Sequence, residues 1–175
     1  MLRAWAEQDL PALEQASHDP YIPATTSVPS PFTYAEGLQW LERQRQHIRK
    51  GVGLPFCIVE QQTGVPVGFI GLWLHNLSQG RANFGYWIVP RARKRGIASA
   101  ALRLLSSWTF ENFLVARLEL WAEVWNIGSQ RVAEQAGFQQ EGILRSYIEV
   151  EKSRRDVIIY ARIASTISNE QNASR

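Results

Sequence analysis

Tyr86-Trp87-Ile88-Val89-Pro90-Arg91-Ala92-Arg93-Lys94-Arg95-Gly96-Ile97-Ala98 is the stretch on which the rest of the chain is read. An aromatic and β-branched run reaches Pro90, which ends a strand ladder, and Arg91, Arg93, Lys94 and Arg95 then lead to Gly96. From Ile97 onward, Ala100, Ala101, Leu104, Leu105 and Trp108 recur at helical spacing as far as about Asn112. A strand therefore passes through a basic loop directly into a helix. The first turn of a helix leaves backbone N–H groups without partners, and these attract anions together with the helix dipole. Gly96 and Ala98 leave room for close approach, so a polyphosphate fits this seat. A plain solvated basic turn fits these residues equally well. Neither the G-x-G-x-x-G nor the G-x-x-x-x-G-K-[ST] phosphate pattern is present.

Outward from this stretch, Leu54 to Glu60, Val65 to His75 and Ala82 to Val89 read as an antiparallel meander. Its middle run is apolar at both parities, which predicts a strand covered on both faces and helices on each side of the sheet. Towards the N-terminus, residues 1–5 read as a short strand and Glu7 to about His18 as a helix. Pro20, Pro23, Pro29 and Pro31 make Asp19 to Phe32 a loop, long enough to serve as a wall of a site. Thr33 and Glu36 form a capping box for a helix with Leu38, Trp40, Leu41 and Ile48 as its stripe, ended by Gly51. Towards the C-terminus, Arg117 to Val124 alternates as a strand and Ile127 to Ala136 is a short helix closed by Gly137. Strands near Phe138 to Arg145 and Asp156 to Ile163 complete the order. This is one α/β domain over residues 1–164, followed by a polar tail over 165–175 that is expected to be flexible.

The composition narrows the function. A chain of 175 residues with 45% hydrophobic and 20% charged residues suits one soluble globular domain. The single cysteine, Cys57, lies in an apolar run and reads as packing. The N-terminus lacks the order of a signal peptide and no apolar run approaches a membrane span, so a cytoplasmic protein without a membrane partner is expected. His18, His47 and His75 are scattered, and no metal site is expected. A net charge of +3 is too modest to support nucleic-acid binding through the basic loop and the second cluster Lys152, Arg154 and Arg155.

Arg93-Lys94-Arg95-Gly96-Ile97-Ala98 resembles the R/Q-x-x-G-x-G/A cofactor motif of the GNAT superfamily of N-acetyltransferases. Asn126-Ile127-Gly128-Ser129, Ala136-Gly137-Phe138, Glu141-Gly142-Ile143-Leu144-Arg145 and Asp156 before Ile159-Tyr160 resemble the C-terminal half of its RimJ/RimL-like branch. The resemblance covers roughly residues 50–163. It implies a mixed, mainly antiparallel sheet of six or seven strands with helices on both faces, split near residues 88 and 122. It also implies acetyl-CoA as co-substrate, with the backbone of Trp87, Ile88 and Val89 along the pantetheine and the amides from Arg93 to Ser99 on the pyrophosphate. Asn126 is implied to bond the pantetheine amides, although an N-cap role explains it as well. A homodimer is compatible with the resemblance.

Acetyl transfer to a primary amine, in a peptide N-terminus or a small molecule, needs a neutral amine, an oxyanion site and a donor for the departing thiolate. A backbone N–H near Ile88 suits the oxyanion, and Ser129 is the donor that the resemblance implies. The base is open. The branch's glutamate position falls on Ile148, its neighbour Glu149 faces the opposite side of a regular strand, and Tyr147 and Glu123 are the other candidates. Because of Ile148, a non-catalytic acyl-CoA-binding module is the rival expectation.

Overall fold

In the computed structural model, which describes residues 1–164, the strand, loop and helix of residues 86–98 lie at the centre of a seven-stranded sheet. The strands are β1 (Leu2–Arg3), β2 (Gly53–Val59), β3 (Pro66–Trp73), β4 (Arg81–Ile88), β5 (Arg117–Glu123), β6 (Gln139–Val150) and β7 (Ser153–Ile163). Their order is β1-β2-β3-β4-β5-β7-β6, and every neighbouring pair is antiparallel except the parallel pair β4 and β5. The sheet is thus mixed and mainly antiparallel, as the sequence predicts. The expected flexible tail, 165–175, lies outside the described residues.

Helices cover both faces. On one face α1 (Leu10–Ser17) packs against α3 (Tyr34–Arg49), and on the other α4 (Ile97–Asn112) packs against α5 (Ile127–Gln135). β3 is buried along its length between these layers, which explains why its sequence is apolar at both parities. On the α1/α3 face Trp5, Trp40, Phe69 and Trp87 form one aromatic cluster, with Phe69 and Trp87 stacked at 6.1 Å. Each such pair adds about 0.5–1.5 kcal/mol beyond its area burial.

Four local readings need correction. The Pro-rich segment is not all loop, because α2 (Tyr21–Thr25) forms inside it. Pro20 precedes this helix and Pro23 lies in its first turn, where a missing N–H breaks no helical bond. The buried face of α3 centres on Gly37, Trp40, Leu41 and Gln44, while Leu38 and Ile48 are exposed. In α4 the core face is Ser99, Ala101, Leu102, Leu105, Ser106 and Thr109, leaving Leu104 and Trp108 partly in solvent. Ser106 and Thr109 can be buried because their hydroxyls donate to the carbonyls of Leu102 at 2.6 Å and Leu105 at 2.7 Å. The last two strands run longer than the sequence suggests and form a ribbon with register shifts at Gln140/Gly142 and Leu144/Ile148.

The parallel junction positions everything that follows. β4 and β5 pair only at Arg81↔Arg117, Ala82↔Leu118 and Asn83↔Glu119, after which they separate. The closed end is pinned, since the Gly80 carbonyl accepts from Ala116 at 2.8 Å and Arg117 at 3.1 Å, and Arg117 Nε donates to Glu119 at 2.6 Å. Each arm keeps its outer partner: β4 stays on β3 as far as Ile88, and β5 stays on β7 as far as Glu123. The right-handed twist of the two halves then carries the arms apart. A cleft opens between residues 84–88 and 120–123, where the family resemblance implies a split.

Candidate active site

Backbone groups line the cleft because the arms have no partner across it. The Val89 N–H bonds the Val67 carbonyl at 3.0 Å, and antiparallel pairing alternates the direction of successive residues. The N–H of Ile88 and Tyr86 therefore points away from β3 into the cleft. A preorganised donor of this kind suits developing negative charge. Trp87 and Val89, whose backbone is expected along the pantetheine, have their own N–H groups turned towards β3. The Val89 N–H is taken by Val67, and its carbonyl accepts from Ala92 at 3.0 Å. By the same alternation the Trp87 backbone faces β3, and its side chain is core, stacked on Phe69.

The loop has the geometry of an anion seat. Gly96 caps α4 at φ 72, a left-handed conformation that side chains resist, and a Cβ built there has only Ser99 Oγ, at 4.0 Å, within reach. The space beside the Gly96 Cα is therefore open, at the point where α4 starts. The Ser99 hydroxyl is turned back onto the Gly96 carbonyl at 2.9 Å. Most of the basic cluster is tied to the protein. Arg91 donates to Gln15 at 2.8 Å, Arg93 donates to the Ile88 carbonyl at 3.0 Å and pairs with Asp19 at 2.7 Å, and Arg95 pairs with Glu60. Lys94, at φ 60, makes no hydrogen bond or ion pair among the described residues.

Two hydroxyl clusters stand at the open end. On the α5 side, the Tyr86 and Ser129 hydroxyls are 2.6 Å apart, while Asn126 Oδ1 accepts from the Ser129 N–H at 3.0 Å. Asn126 is thus the N-cap of α5, and its Nδ2 reaches towards Tyr21 at 3.4 Å. Burial pushes the Tyr86 hydroxyl up to about 12, so it keeps its proton well beyond neutral pH. On the α2 side Glu123, only 4% exposed, accepts from the Tyr21 hydroxyl at 2.8 Å and from Trp125 Nε1 at 2.9 Å. Tyr21 lies edge-on to Trp125 at 4.9 Å, and burial pushes its hydroxyl up to about 12.

The candidate bases separate on this geometry. Glu149 is exposed and registers with Arg154 one pair from the ribbon's turn. The bulge that precedes it ends at Ile148, which is half-buried. Tyr147 lies edge-on to Trp121 of β5 at 5.5 Å. Among the described residues no helix is long and apolar enough to cross a membrane, and no cluster of His, Cys, Asp and Glu is arranged to hold a metal ion.

A family model described as an acetyltransferase (GNAT) domain matches residues 1–139, which includes the loop, the split strands and both hydroxyl clusters. The chain belongs to the GNAT acetyltransferase family. YdaF of Bacillus subtilis (strain 168), by its name a proposed ribosomal N-acetyltransferase, is 37% identical over 90 residues. That alignment spans 50% of this GNAT chain and 49% of YdaF, about half the length of each. The uncharacterized N-acetyltransferase p20 of Bacillus licheniformis is 26% identical over 161 residues, spanning 91% of this chain and 90% of its own. RimJ of Mycobacterium smegmatis, solved with CoA-disulfide, superposes with a TM-score of 0.80 at 25% identity, covering 95% of this chain and 83% of RimJ.

Ile88 ends one arm of the parted strands, Gly96 starts the helix that follows that arm, and Asn126 and Ser129 meet Tyr21 and Tyr86 through hydrogen bonds, while Glu149 is exposed on the ribbon opposite Arg154. Sequence reasoning missed Asp19, Tyr21 and Tyr86. Tyr86 was legible only as a strand residue opposite in parity to Trp87, because nothing local announces its contact with a helix 43 positions away. Tyr21 lay in the segment expected to form a wall, but its helix was not expected.

Proposed function

We propose that this chain transfers an acetyl group from acetyl-CoA to a primary amine by direct attack, with a protein N-terminus as the acceptor class. The observation that carries the reading is the open parallel junction: the Ile88 N–H turns away from β3 where β4 and β5 have parted, one arm leads into the Gly96-capped helix start and the other ends on a buried carboxylate. The amides of Gly96, Ile97 and Ala98 hold the pyrophosphate, and Lys94, without a partner among the described residues, adds a cation to the same loop. The Ile88 N–H receives the charge that develops on the acetyl oxygen. Ser129 donates towards the departing sulfur, with the Tyr86 hydroxyl behind it as a proton-holding partner. Glu123 takes up the proton of the incoming amine, directly or through one water, while Tyr21 and Trp125 fix its two oxygens. The exposed ring of Trp125, bonded to Glu123, and the exposed pair Trp121 and Tyr147 suit an apolar chain carrying the amine. The ribosomal reading in the name of YdaF supports a protein acceptor over a small amine. The reading includes action in the cytoplasm.

The experiment is thiol release from acetyl-CoA by the purified protein across N-terminal peptides, polyamines, aminoglycosides and amino-acid-like amines, with no-acceptor controls. Release with peptides supports the proposal, and release with polyamines alone moves the acceptor class. CoA binding without release from any amine overturns catalysis in favour of a binding module.

A further inference from the structure

Asp19 is a buried carboxylate, 7% exposed, that the chemistry above does not use. One oxygen, Oδ2, pairs with Arg93 Nη2 at 2.7 Å. The other, Oδ1, accepts from the N–H of Tyr21 and of Ile22, each at 3.0 Å, and so holds the first turn of α2. Tyr21 in turn donates to Glu123 at 2.8 Å. Arg93 belongs to the anion-seat loop and also grips the end of β4 through the Ile88 carbonyl. A continuous line of polar contacts therefore runs from the loop, through Asp19 and α2, to the carboxylate on the far arm of the cleft.

We propose that Asp19 is a positioning residue that couples occupancy of the cofactor loop to the order of the acceptor side. The inference rests on the cofactor reading given above. Arg93 offers five N–H donors in a fixed fork, of which the Ile88 and Asp19 contacts use two. The rest stay available to phosphate oxygens, and the side chain is 43% exposed while they are unfilled. A pyrophosphate that engages those donors immobilises the guanidinium and with it Asp19, the first turn of α2 and the Tyr21 hydroxyl on Glu123. Part of the ordering that an amine must otherwise impose is then already done, so amine affinity rises when the loop is occupied. Linkage makes the effect reciprocal: a bound amine raises cofactor affinity by the same factor, on the order of fivefold or more for a coupling of ordinary size.

Amide hydrogen exchange on the full chain tests this with CoA as the probe. Saturating CoA is expected to slow exchange across residues 19–25 several-fold in the native protein. In Asp19→Asn the side-chain oxygen still accepts from Tyr21 and Ile22 but the charge that holds Arg93 is gone. CoA should then bind without slowing that segment. Arg93→Gln, which cuts the same link from the loop side, should also abolish the slowing. In turnover, both variants should raise the KM for the amine several-fold more than they lower kcat, a split that simple loss of stability does not produce. Equal slowing in Asp19→Asn and the native protein, or none in the native protein while CoA binds and turnover proceeds, overturns the coupling alone. Failure of the native protein to bind CoA overturns the cofactor reading and the coupling with it.

Discussion

Replacing Gly96 by alanine separates the anion seat from general stability, provided it is compared with Gly51→Ala. Both glycines have a left-handed φ, 72 for Gly96 and 64 for Gly51, and neither Cβ would meet an atom closer than 4.0 Å. The strain is therefore alike, about 1–2 kcal/mol for an L-residue in this region. For a chain of this size that lowers Tm by about 2–8 °C in each variant. Only at Gly96 is the new methyl added at the start of α4, next to the turn proposed to hold the pyrophosphate. If it displaces one hydrogen bond from an amide to a charged phosphate, about 1.5–3 kcal/mol is lost, which weakens CoA binding roughly ten- to hundredfold. The assay pairs calorimetric titration of CoA with thermal melts of the native protein and both variants. Native affinity in Gly96→Ala refutes this placement of the pyrophosphate. An equal loss in Gly51→Ala shows that the effect is strain and not occupation of the seat.

Ser129→Ala should lower kcat by about 10²-fold or more while CoA affinity stays near native, because it removes the donor facing the leaving sulfur but not the Asn126 cap; an unchanged kcat under chemistry-limited conditions argues against that role. Glu123→Gln keeps the shape of a side chain beside Tyr21 and Trp125 but cannot take a proton. It should depress kcat/KM for the amine by about 10²-fold, with partial recovery at high pH where the amine is already neutral; a loss independent of pH points to packing alone. Burial raises the Tyr21 and Tyr86 hydroxyls to about 12, against about 10 in an unfolded chain. The folded state holds these protons more tightly, so their contribution is complete below about pH 10 and is lost as pH rises towards 12. Denaturant titrations between pH 8 and 11.5 should show this decline, reduced in Tyr86→Phe; an identical slope in that variant counts against a buried, proton-holding Tyr86.

What the sequence determined was what short stretches of chain determine. Residues 86–98 carry strand, proline stop, basic turn, glycine cap and helix start consecutively, and each signal acts within a few positions. Asn126 capping Ser129, and Thr33 capping Glu36, are legible for the same reason. Helix phase was less legible: hydrophobicity alone put Leu104 and Trp108 inward, whereas Ser106 and Thr109 are buried because they satisfy their hydroxyls on their own helix. The chemistry of the acceptor side was decided only in three dimensions. Tyr21 meets Glu123 across 102 positions, and Asp19 meets Arg93 because α2 forms where four prolines suggested only loop. The sequence left Glu123, Tyr147 and Glu149 as rival bases, since alternation along a strand cannot foresee where arms part or ribbons bulge. Twist and the outer partners of β4 and β5 set that parting, and they exist only once the sheet has assembled.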